Sequence, residues 1–254
     1  MRGNAAAALR WSRRVGWWKP LAWLGLLLAL CLGMGGLEGL FRWLEPDSRQ
    51  VLYARSSFLV LLGQHVMVVG LASLAAVILG VGGAVAVTRP FGRDFLPLVS
   101  QLASIGQTFP PVAVLALAVP VLGFGTLPII VALLLYGLLP IVRNTLAGIQ
   151  GIDPGVHEAA RGMGMTRGQI LRQVELPLAA PVMLAGVRTS VTINVATAAI
   201  GATVGATNLG DPIISGIVNG NTAYVLQGAL LIGILAITVD STFERVQSWL
   251  VQRD

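Results

Sequence analysis

Between positions 153 and 177 the chain gathers residue types suited to docking one protein surface against another. Ala159, Ala160, Gly162 and Gly164 keep side chains short enough for backbones to approach, and Glu158, Arg161 and Arg167 offer charge for the rim of such a contact. A second set is polar but uncharged. Gln107, Thr108, Thr189, Thr192, Asn194, Thr197 and Asn208 interrupt or border apolar runs, with Pro110 beside the first two. In that setting hydroxyls and amides either line a polar route or hydrogen-bond a neighbouring helix, and both readings stand. The means for catalysis are missing. His65 and His157 lie far apart and Cys31 has no second cysteine, so no metal-ligand spacing exists. No Gly-rich loop followed by Lys and Ser or Thr is present to cradle ATP. The expectation is no catalytic residue, no metal and no cofactor bound by this chain.

Helices that cross a membrane must position these residues. Of 254 residues, 55% are apolar and 11% charged, and the mean hydropathy is +0.79, whereas a soluble domain carries about 25% charged residues. That excludes an ordinary soluble protein, a disordered tail and a fibrous repeat. The net charge of +6 is no nucleic-acid signal, because the charges flank apolar runs and form no basic stripe. The pattern predicts an all-α polytopic membrane protein with six spans, at about 21–37, 58–87, 95–122, 127–142, 182–204 and 223–239. The first is read as a retained span, since no A-x-A-like cleavage site follows it. Three parts are expected. Positions 1–57 hold the basic N-terminal segment, the first span and an outside loop; 58–246 hold the transmembrane core; 247–254 form an inside tail.

Both termini are placed inside, because that assigns every Arg and Lys except Arg42, Arg49 and Arg55 to the inner side. Thr108-Phe109-Pro110-Pro111 should break or kink the third span. Gly123-Phe124-Gly125 reads as a tight outside turn, and 205–222 as an outside connection. On the inner side, Asp153-Pro154 predicts a helix start, and Gly162 and Gly164 should bend that helix. Thr166 caps a second short helix over 167–174, which Leu176-Pro177 stops before the fifth span. Such a hairpin either lies on the lipid surface or plugs into a cytosolic partner. Residue physics alone slightly favours the lipid surface. His65 is read as a satisfied interhelical residue, and Arg188 as reaching lipid headgroups in preference to Asp240.

Glu158-Ala159-Ala160, three residues, Gly164, nine residues and Val174-Glu175-Leu176-Pro177 resemble the EAA loop of ABC importer permeases. In that family the loop forms the coupling helix, seated in a cleft of a cytosolic ATPase; the pattern commonly has Ile where this chain has Val174. Stretches 105–125, 136–149, 158–194 and 221–237 are similar to the permeases of osmoprotectant importers, which move glycine betaine, choline and related quaternary ammonium solutes. Many relatives carry Gly-Gly-Leu-Gly in place of Thr207-Asn208-Leu209-Gly210.

The resemblance implies a type I ABC importer permease fold of six transmembrane helices, with Glu158, Ala159, Ala160, Gly162, Gly164, Leu176 and Pro177 coupling to the ATPase. It implies an ATPase dimer that uses ATP and Mg, a second copy of this permease or a similar one, and a periplasmic or lipid-anchored solute-binding protein. It also implies a cell inner membrane location. The polar residues named above, with Pro110, become candidates for the translocation route. Because midmembrane aromatics are few, tight recognition of a quaternary ammonium is expected outside this chain. A large side chain at Gly164 is expected to overpack the docked helix. A permease for methionine or a phosphonate, and a structural membrane anchor, are the alternatives.

Overall fold

The computed structural model describes residues 16–251. The basic residues Arg2, Arg10, Arg13, Arg14 and Arg253, Trp11 and the last three residues of the expected tail lie outside them. The described chain is helical: α1 (Trp18–Gly33), α2 (Glu38–Leu44), α3 (Phe58–Val87), α4 (Leu96–Thr108), α5 (Pro111–Leu122), α6 (Thr126–Gln150), α7 (Pro154–Gly162), α8 (Arg167–Ile170), α9 (Leu176–Thr197), α10 (Asp211–Asn219) and α11 (Thr222–Val251). Five helical stretches are long and apolar enough to cross a membrane, and α4 with α5, bent by 97°, makes a sixth if the pair is one broken span and not a re-entrant loop. The chain is a multi-pass membrane protein.

The bend comes from the two prolines, and its loose polar groups are taken up by α6. The Phe109 carbonyl, freed where α4 ends, accepts from the Tyr136 hydroxyl at 2.8 Å, and Gln107 Nε2 donates to the Tyr136 carbonyl at 2.9 Å. A break at membrane depth needs such partners, because lipid offers none. The predicted turn at 123–125 is present. Gly123 and Gly125 take positive φ, and the Gly125 N–H donates to the Val204 carbonyl at 2.8 Å.

Helix α6 is the centre of the bundle, packed on α3 and α9. Small residues let the backbones meet. A Cβ at Gly186 of α9 would lie 2.6 Å from the Pro140 carbonyl oxygen, and one at Gly137 of α6 would lie 2.6 Å from Ser190 Oγ. The outward faces carry exposed Leu, Val and Ile, as lipid contact requires.

Three sequence expectations need correction. The fourth helix does not end near 142 but continues to Gln150, because the polar positions after Arg143 still present Thr145, Leu146 and Ile149 to the core. The short helix after Thr166 is not stopped at Leu176-Pro177. It runs through a π-turn at Leu171–Glu175 into α9, giving one helical rod over Arg167–Val204. The wider turn removes the clash a proline makes with the carbonyl four residues back, and Pro177 sits in the first turn of α9, where its missing N–H costs little. The 205–222 connection is also partly helical, as α10, with Pro212 in its first turn.

Candidate functional site

The elbow at one end of the bundle is built by local capping. Asp153 Oδ1 accepts from the Gly155 N–H at 2.7 Å to start α7. Gly164 ends it in the left-handed region at φ +77°, with the Met165 N–H returning to the Ala160 carbonyl at 3.1 Å. Thr166 and Gln169 then form a reciprocal capping box at the start of α8.

Glu158, Ala159, Gly162 and Gly164 are exposed here, and Ala160 is buried against the body. Leu176 and Pro177 lie at the far side of the π-turn, half-buried and exposed respectively. The expected reason for Gly164 changes. Nothing lies within 4 Å of a Cβ built there. Its positive φ demands glycine, so a Leu at this position would strain the elbow before it met any partner.

Behind α7 lies a cavity of about 850 Å³ bordered by Arg89, Arg93, His157, Arg161, Arg167 and Glu175. Glu175 is 6% exposed. Its Oε2 accepts from Arg89 at 2.5 Å, and its Oε1 lies 3.3 Å from His157 Nε2. Sequence reading missed this trio. Arg89 read only as a marker of the inner surface, and no local spacing links positions 89, 157 and 175.

The eight candidate route residues do not form one group. Gln107, Thr108 and Pro110 meet at the α4–α5 break, where Thr108 and Pro110 are exposed and Thr108 Oγ1 donates to the Ile105 carbonyl at 2.8 Å. Thr189 is exposed on α9 and bonds the Ala185 carbonyl at 3.0 Å; Thr192 and Thr197 are half-buried. Asn194 is fully buried, and its Nδ2 donates to Ser73 Oγ of α3 at 3.1 Å. Asn208 is fully buried too, donating to the Ala198 and Ala206 carbonyls and accepting from the Gly210 N–H at 2.6 Å. These two amides hold helix and turn together within the subunit. His65 is fully buried, with Nε2 2.9 Å from the Val195 carbonyl, an interhelical contact as expected, but its Nδ1 makes no hydrogen bond among the described residues, so the ring is satisfied on one side only.

Arg188 differs from expectation. It grips Asp240 of α11 with two bonds of 2.6 Å, because the planar guanidinium fork matches a carboxylate better than a lone headgroup oxygen.

The opposite end of the bundle carries two carboxyl groups displaced in opposite senses. The side chain and backbone N–H of Thr222 hold Glu45 below its ordinary value, the N–H at 2.8 Å. Burial pushes Asp211 up, opposed by a backbone hydrogen bond at Asn208 and by Arg55. Among the described residues no group of three His, Cys, Asp or Glu is placed to hold a metal ion.

Residues 76–253 match the family described as the binding-protein-dependent transport system inner membrane component. The chain belongs to that family. The permease is 42% identical over 217 residues to the osmoprotectant import permease protein OsmY of Salmonella typhimurium, covering 85% of this chain and 87% of the relative. It is 40% identical to the carnitine transport permease protein OpuCB of Listeria monocytogenes, covering 75% and 87% of the two chains. It is 38% identical to the choline transport system permease protein OpuBB of Bacillus subtilis, covering 80% and 90%. Its fold is that of a type I ABC importer permease. An inward-facing structure of the MetNI methionine ABC transporter superposes with a TM-score of 0.67 at 24% identity, over 76% of this permease and 95% of that chain.

Proposed function

We propose that this chain is the transmembrane subunit of an ATP-driven importer for quaternary ammonium osmoprotectants, the class of glycine betaine, choline and carnitine. The supporting observation is that relatives 38–42% identical over most of the chain are named for osmoprotectants, carnitine and choline. The methionine transporter shares the fold at lower identity and gives no support for its solute.

In this reading the elbow end faces the cytosol. The exposed side of α7 seats in an ATPase dimer that binds ATP and Mg, and two permease subunits, identical or similar, alternate between outward and inward openings. A solute-binding protein, periplasmic or lipid-anchored, delivers the solute to the opposite end. This chain hydrolyses nothing itself. Recognition by it is weak, because a quaternary ammonium has no hydrogen-bond donor and is best held by aromatic faces, which are few within these spans. Binding to the permease alone should be about millimolar or poorer.

The test is ATP hydrolysis by the complex reconstituted in lipid with its ATPase and binding protein. Glycine betaine, choline or carnitine should stimulate it, while methionine and histidine should not. Stimulation by methionine alone would replace the proposed solute class.

A further inference from the structure

We infer that Glu175 is a positioning residue that ties the coupling helix to two membrane-spanning helices, so that movement of α7 is delivered to both. The inference rests on the reading of α7 as the ATPase-docking element. Three observations carry it.

First, Glu175 joins three elements. It closes the π-turn that leads into α9, accepts from Arg89 beyond the end of α3, and meets His157 on α7. Second, the Arg89 end of this link is itself anchored. Arg89 Nε and its terminal nitrogen donate to Thr88 Oγ1 at 3.1 and 2.9 Å, and that hydroxyl donates to the Val85 carbonyl at 2.7 Å. The charge on Arg89 is therefore fixed to the last turn of α3. Third, α7 has little else to hold it. Apart from buried Ala160 and half-buried His157, its residues are exposed. Among the described residues, the His157–Glu175 contact is the side-chain hydrogen bond from α7 to another element.

A π-turn places one residue out of step with the helix on either side. Here Glu175 is 6% exposed, between half-buried Val174 and Leu176, while Arg172 and Gln173 earlier in the same turn are exposed. A carboxylate buried to that degree is costly unless paired, and both partners come from other elements. Losing the His157 arm therefore frees α7 while Arg89 still pairs the carboxylate.

The tie is read directly in full-length permease in lipid nanodiscs. A nitroxide is placed at Met163→Cys, 74% exposed at the end of α7, in a Cys31→Ala background. Glu175→Gln and His157→Gln are expected to raise the label's mobility, and Arg172→Gln, at an exposed neighbour, to leave it unchanged. His157→Gln keeps the Arg89 arm and covers the case in which Glu175→Gln fails to fold. Its use is read in the complex. Both variants should keep ATP hydrolysis while solute moved per ATP falls about threefold or more. Unchanged label mobility overturns the tie. So does a parallel fall of hydrolysis and uptake, which a merely structural role would give. A wild-type complex that binds no ATPase defeats the functional proposal instead, and label mobility still decides whether Glu175 holds α7.

Discussion

The two ends of this permease are held by opposite strategies. At the end remote from the elbow, the segment ahead of α3 is stitched to the start of α11 by a run of hydrogen bonds. Gln227 Oε1 accepts from the Tyr53 N–H at 3.0 Å while its Nε2 donates to the Val51 carbonyl at 2.6 Å. Asn221 donates to the Gln50 carbonyl at 2.9 Å, and the Tyr53 and Tyr224 rings meet edge to face at 5.6 Å. Gln227 and Val51 are buried almost completely. At the elbow end, α7 is largely exposed, held to the body by buried Ala160 and by the contact of His157 with one carboxylate. On the proposed reading of α7 as the docking element, contacts are few where a partner would push and many where the bundle stays closed. Elements that move are drawn from the less stable parts of a fold.

The largest effect should come from breaking the stitched end. Gln227→Leu leaves a buried N–H and a buried carbonyl without partners and should cost about 2–4 kcal/mol, seen as a lower thermal midpoint in detergent. Uptake per folded molecule should change little. A loss of transport at unchanged stability would make this end part of the moving machinery and erase the contrast.

A smaller effect is expected at the elbow. Gly164→Ala forces a side chain into left-handed backbone and should cost about 1 kcal/mol locally, weakening ATPase association in a pull-down with permease levels matched. Gly168→Ala, on a helix with nothing within 4 Å, should be neutral. Equal behaviour of the two would show that the turn at Gly164 does not set the angle of α7.

The smallest effects are in pH dependence, with opposite signs for two carboxyl groups of the stitched end. Glu45 is held below its ordinary value. Its contribution is present above the unfolded-state value and lost as pH falls through the lower, folded one. Glu45→Gln should remove that acid-side loss. Asp211 is held above its ordinary value by burial. The folded state binds its proton more tightly, so stability is lost as pH rises from the ordinary value through the raised one, and Asp211→Asn should remove that limb. Thermal midpoints of the two variants between about pH 3 and 7 check both signs.

Much of the fold is written in local pattern. The apolar runs locate the spans, Pro110-Pro111 marks the break, and Asp153-Pro154 and Thr166 mark two helix starts. Two features escaped for a shared reason. Leu176-Pro177 reads as a stop only if the preceding turn is α-helical, and the π-turn at 171–175 has no spacing signature. Asp211-Pro212 repeats the pair that announces α7, yet the Gly and Asn around it masked the helix.

The site divided in the same way. The small exposed face of α7 was legible because its residues are consecutive. The Arg89–Glu175–His157 trio was not, and the Arg188–Asp240 pair stood only as the less favoured alternative to lipid headgroups, since each is made by elements 18 to 86 residues apart in sequence. Asn194 and Asn208 show the limit of residue type. An amide in an apolar run looks the same whether it faces a route or, as here, a neighbouring hydroxyl or a turn carbonyl.

The claim that α7 is the docking element is tested most directly by placing a photo-reactive amino acid at Ala159 in cells and identifying what it captures by mass spectrometry. The same group at Asn219, exposed at the end of α10 on the stitched end, serves as the control. The account predicts an ATP-binding-cassette ATPase cross-linked at Ala159 and absent at Asn219. Capture of lipid alone at Ala159, with normal uptake in the same cells, would put α7 on the membrane surface and contradict it.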